Sequence, residues 1–176
     1  MDAQTSFPRL EHIADIHLDL SPALPSGTTP KGTNLWIPIT GGTIKSPSTT
    51  TSNLPKLNLT VPPGGGDYPT LHATDEVLSL DVNLVAIDEE TKDLFRFQNS
   101  GYITLNEEVS ALLLEGKGRS TEFGEKDVRE TITCNTGSKD FGWMNFGTMV
   151  AQGRLLERDG GLGGIEFRVF RFVAQV

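Results

Sequence analysis

Apolar and polar residues alternate with a period of two through most of this chain, the spacing of strands that bury one face. Between residues 9 and 20, Leu10, His12, Ala14, Ile16, Leu18 and Leu20 share one side, and Glu11, Asp15, His17 and Asp19 fall mostly on the other. Pro22, Pro25, Gly27, Pro30 and Gly32 interrupt this pattern, and residues 35–44 predict a second strand that closes on Gly41-Gly42. Residues 77–87 predict a third, a turn follows over 88–92, and 94–97 return. Three more strands are expected over 128–135, 143–152 and 165–173, the last two joined across Asp159-Gly160-Gly161. One short helix stands out. Asn106 is its N-cap, Glu107 and Glu108 suit the positive end of the helix dipole, Val109, Leu112 and Leu113 supply the buried side, and Gly116 ends it. Residues 45–66, rich in Ser, Thr, Pro and Gly, are expected to form an exposed, mobile and dispensable loop.

Many short strands with Gly/Pro turns and one helix predict an all-β fold, a sandwich or a closed antiparallel barrel, in a single domain over 1–176. Polar residues among the apolar alternates favour a barrel with an internal ligand pocket, since a small barrel filled by side chains would place hydrocarbon there.

Charge then narrows the partners. Fifteen Lys and Arg against 23 Asp and Glu give a net charge of -8, which disfavours nucleic acid and anionic membranes. No apolar segment approaches the length of a membrane span and no leader pattern precedes residue 10, so a cytoplasmic location is expected. Cys134 is the single cysteine, and His12, His17 and His72 are scattered, with His12 and His17 on opposite sides of their strand by parity; no metal site is expected. No Gly-x-Ser-x-Gly elbow occurs, and Gly64-Gly65-Gly66-Asp67 lacks the Lys-Ser/Thr of a phosphate loop.

The remaining chemistry is acid, base and hydrogen bonding beside aromatic residues. Asp67-Tyr68 follows a glycine run that permits close approach of backbone and ligand. Arg129 sits on a strand, and Trp143 and Asn145 lie two residues apart and share a face of their expected strand. Each has a plainer reading: Asp67 as a turn residue, Arg129 as a surface ion pair, Trp143 as core.

These residues carry a resemblance. Ile37-Pro38-Ile39-Thr40-Gly41-Gly42-Thr43, Gly65-Gly66-Asp67-Tyr68, Asn99-x-Gly101, Glu108-Val109 with Leu113-x-x-Gly116, and Arg129 ahead of Trp143-Met144-Asn145 are similar in order and spacing to domain-of-unknown-function family 3237. Asn135-Thr136 is read at the family's Glu-Thr pair, Glu90-Thr91-Lys92 near its Asp-Asp-Gly turn, and 46–63 as an insertion. The resemblance implies a calycin-like barrel with a pocket, and some fungal relatives act as cofactor-independent cyclases that add a hydroxyl across an alkene of a prenylated aromatic polyketide.

The resulting expectation is a cofactor-free cyclase or isomerase of fungal secondary metabolism, acting by acid/base catalysis on a small hydrophobic or aromatic metabolite. Asp67 would transfer protons and Arg129 would steady an enolate or phenolate. Asn135 and Asn145 would orient the substrate with Thr40, and Tyr68 and Trp143 would form aromatic walls. The rival is a non-catalytic carrier of lipocalin-like shape. A homodimer is left open.

Overall fold

The computed structural model describes residues 8–48, 54–72 and 76–173, and eleven antiparallel strands among them form one sheet. In chain order these are β1 (Arg9–Leu20), β2 (Leu24–Thr29), β3 (Gly32–Lys45), β4 (Asn58–Val61), β5 (Gly65–Asp67), β6 (Thr70–His72), β7 (Val77–Asp88), β8 (Leu94–Thr104), β9 (Val128–Thr136), β10 (Met149–Arg158) and β11 (Gly161–Val173). Helix α1 (Glu107–Leu114) follows β8, and a 3-10 turn (Gly142–Asn145) follows β9. The ladder runs β1-β11-β10-β9-β8-β7 and crosses to β3 through the three short strands β4, β5 and β6. β3 pairs with β1 in turn, so the ring of pairings returns on itself and forms a β-barrel. β2, exposed throughout, pairs with the first half of β3 outside that ring.

β3 is the hinge of the ring. Beyond its β2-paired half it holds β1 on one side, and β6, β5 and β4 follow one another along its opposite side. It passes β1 at Gly42, φ 154°, where a Cβ would lie 2.2 Å from the His17 carbonyl oxygen, so a side chain there would break the ladder.

Alternation along each strand sorts the side chains. On β9 the pattern is strict: Val128, Glu130, Ile132, Cys134 and Thr136 are buried, and Arg129, Thr131, Thr133 and Asn135 are exposed. The end of the barrel near Phe95 is filled. Phe95 and Phe97 lie 6.4 Å apart, Phe141 meets Phe95 edge-on at 5.6 Å, and Met144 and Met149 are buried in the same core. α1 packs against β11 at the other end, its first turn capped by Asn106 Oδ1, which accepts from the Val109 amide at 2.9 Å.

Four expectations need correction. Residues 45–66 are not a dispensable loop: Ser46 and Leu57 hydrogen-bond each other, β4 pairs with β3 and β7, and Leu57, Leu59 and Val61 are core residues. The part of that segment at 49–53 lies outside the described residues. Residues 143–148 are no strand, because Gly142–Asn145 forms the 3-10 turn and β10 starts at Met149. β2, β5 and β6 were not foreseen, and β8 runs on to Thr104. His12 and His17 share one outer groove, because a bulge between His12 and Ala14 shifts the phase of β1 by one residue.

Candidate active site

The half of the barrel nearer α1 encloses a cavity of ≈ 20 Å³, room for about one water. Aliphatic side chains from β1, β3, β7, β8, β10 and β11, with Phe167, make most of its wall. Two carboxyl groups interrupt the hydrocarbon: Asp67 and Glu130. No lysine, arginine or histidine is among the described residues that line it.

Asp67 reaches the interior through local backbone geometry. β5 bridges Ile37 of β3 and Val82 of β7, and the preceding Gly66 faces outward beneath Trp36, whose Nε1 would lie 2.5 Å from any Cβ at that position. The next residue along the strand therefore points inward. One oxygen, Oδ1, accepts from the Asp81 amide at 2.9 Å. Burial raises the carboxyl to about 7, a rise that this hydrogen bond only partly offsets.

Glu130 enters from β9, opposite Gly101 of β8 and Ala151 of β10. Its Oε2 accepts from Asn99 Nδ2 at 2.9 Å, while Glu130 Oε1 and Asn99 Oδ1 are buried with no hydrogen-bond partner among the described residues. Desolvation pushes Glu130 up to about 8, and repulsion from an ionised Asp67 adds to it. Between about 7 and about 8 the pair therefore holds about one proton between two carboxyl groups, an acid and a base facing one space.

Of the residues expected to form the site, Asp67 lines the cavity and the others do not. Arg129 lies on the outer wall, its guanidinium donating to Asp127 Oδ2 at 2.7 Å, because it neighbours an inward residue on a strand of period two. Asn135 is exposed on the same outer face. Thr40 is exposed and donates to the Asp19 carbonyl at 3.2 Å, and Tyr68 is 54 % exposed. Asn145 clamps the Thr136 backbone, accepting from its N–H at 2.7 Å and donating to its carbonyl at 3.0 Å. Trp143 sits in the 3-10 turn with Arg171 over its ring. Phe167 is the aromatic residue in a mainly aliphatic lining, and Tyr68 and Trp143 do not form the expected aromatic walls.

Glu130 and Asn99 are the functional candidates that sequence reasoning missed. The signal was a carboxylate in register with Val128, Ile132 and Cys134, an inward position on a strand of period two. The Glu-Thr pair read at Asn135-Thr136 has a counterpart five residues earlier, Glu130-Thr131, directly after Arg129.

Comparisons with known proteins agree with this architecture. PR-toxin biosynthesis cluster protein 7 of Penicillium roqueforti is 31% identical over 191 residues, covering 99% of this chain and 100% of that protein. A β-barrel-like protein of Acinetobacter baumannii superposes with a TM-score of 0.72 at 21% identity, over 98% of this chain and 100% of the other. A crystal structure described as an enzyme from Penicillium herquei gives a TM-score of 0.62 at 14% identity, with 98% and 100% coverage. The family model for proteins of unknown function designated DUF3237 matches residues 8–172, nearly the whole chain with the strands that carry Asp67, Asn99 and Glu130, and the chain belongs to that family.

Proposed function

We propose that this protein is a cofactor-independent isomerase or cyclase of a secondary metabolite, with Glu130 as the acid and Asp67 as the base. The observation that carries the reading is the pair of buried carboxyl groups facing one aliphatic cavity. Burying two such groups opposes folding, and a carrier of apolar ligands has no need of them. The relative named for a toxin biosynthesis cluster and the fold shared with a protein described as an enzyme support a biosynthetic role.

The charge of the site selects the chemistry. Without a cation among the described lining residues, an enolate or phenolate would meet repulsion, whereas a developing positive charge is stabilised by an ionised carboxylate. A neutral, unsaturated substrate bearing a hydroxyl fits. Protonated Glu130 gives its proton to an alkene carbon. The substrate's hydroxyl oxygen bonds to the neighbouring carbon as the π bond is lost, and the hydroxyl proton passes to Asp67. Substrate and product are isomers, and the proton returns from Asp67 to Glu130 through solvent. Asn99 is a positioning residue that holds Glu130 Oε2.

Deleting the gene from its host tests the reading. The compound that accumulates should have the same mass as the product that disappears. Purified protein, with no cofactor added, should convert one into the other and introduce one deuterium at carbon in D2O. A precursor of different mass overturns the isomerase reading, and tight binding without conversion favours the carrier.

A further inference from the structure

The inner cavity, at ≈ 20 Å³, is far below the roughly 300 Å³ at which sites for organic ligands begin. A second, open cleft of ≈ 590 Å³ lies against it between α1, the β10–β11 turn and the start of β2. Leu20, Leu113 and Leu162 line both spaces, and all three are half-buried. They form the partition between the two.

We infer that the cleft is the outer compartment of the same ligand site, taking the uncharged hydrocarbon body of a molecule whose reacting end passes the three leucines to reach Asp67 and Glu130. The inference rests on reading the inner cavity as the ligand site. Volume requires an outer compartment, since the inner space alone holds about one water. The cleft wall also defines its occupant. Pro22, Pro25 and Leu114 present apolar surface over buried Leu35 and Leu112, and Arg158, the cation among the described lining residues, donates to Asp19 Oδ1 at 2.7 Å. An anionic ligand would have to compete with that carboxylate.

The partition draws on separate elements. Leu113 belongs to α1, a helix of eight residues that packs mainly on β11, and Leu162 sits at the start of β11. The segment after α1 and the β10–β11 turn meet backbone to backbone: a Cβ on Gly160, in that turn, would lie 2.8 Å from the Gly116 carbonyl oxygen. α1 itself is anchored by Val109 and Leu112, each 1 % exposed, so an opening at Leu113 and Leu162 leaves the helix seated.

Stopped-flow binding of N-phenyl-1-naphthylamine, an uncharged apolar fluorophore, tests this without catalysis. Leu113→Ala and Leu162→Ala should each raise the association rate about fivefold or more, and Leu113→Trp should lower it by a similar factor. Leu114→Asp, changing only the outer wall, should weaken affinity about tenfold. Thermal melts establish that each variant is folded, and the two alanine variants serve as independent checks should one fail to fold. Equal rates and affinities in all variants would move the probe to the groove around His12, His17 and Phe170 and overturn the inference, as would no saturable binding to wild type or the opened variants. Loss of turnover in Asp67→Asn with probe binding intact bears on the catalytic reading alone.

Discussion

At the scale of single residues, the assignment separates an acid from a base by environment, and the pH profile should show it. Under the proposed roles turnover requires Asp67 ionised and Glu130 protonated, so kcat/KM should rise through about 7 and fall through about 8, a narrow bell. Glu130→Gln and Asp67→Asn should each lower turnover by about 10² or more while ligand affinity stays within about tenfold. Arg129→Ala, on the outer wall, should leave both unchanged. Loss of activity in Arg129→Ala with wild-type rates in the carboxyl variants would sink the assignment. Asp67 was legible in the sequence because glycines before it and an aromatic residue after it mark a close backbone approach. Glu130 was not, because a strand with charged residues on both faces hides its inward member until the phase of the alternation is known. Arg129 stands one position away, and one position is the whole difference between the two faces of a strand.

At the scale of elements, compositional reasoning failed where an element was short. Asn58–Val61 has four residues beside a Pro/Gly-rich run, too few to show a period, yet Leu59 is 1 % exposed between β3 and β7. Leu59→Ala should therefore cost about 2–5 kcal/mol in urea unfolding, a figure expected of a core strand and not of a surface loop. The helix was legible because its signals are local. Asn106→Ala should cost about 1 kcal/mol by removing the acceptor for the Val109 amide, read as a lowered Tm. The 3-10 turn was missed because Trp143 and Asn145 mimic alternation, although the Asn145 side chain is occupied with the Thr136 backbone.

At the scale of the whole molecule, the acidic interior links stability to pH. Asp67 and Glu130 carry folded-state values of about 7 and about 8, against ordinary values of 3.8 and 4.5. Between those limits the folded protein holds protons that the unfolded chain has released, so stability is greatest on the acid side of the window and falls as pH rises through about 8. The loss is on the order of several kcal/mol once both are ionised. Tm should drop between pH 5 and pH 9 in wild type and much less in Asp67→Asn/Glu130→Gln; parallel curves would contradict the burial argument. Chelator should leave Tm unchanged, since no group of three or more ligand-type side chains gathers among the described residues. The barrel itself was legible from the number and spacing of alternating runs, but which strands close it was not, because closure depends on β1 pairing with both β3 and β11. That pairing has a consequence for biosynthesis. β1 leaves the ribosome well before its partner Gly161–Val173, so no nascent chain can complete the wall until that strand has been made. Until then β1 and β10 each present an open ladder edge, and messages truncated before that last strand should yield insoluble product rather than a smaller working protein.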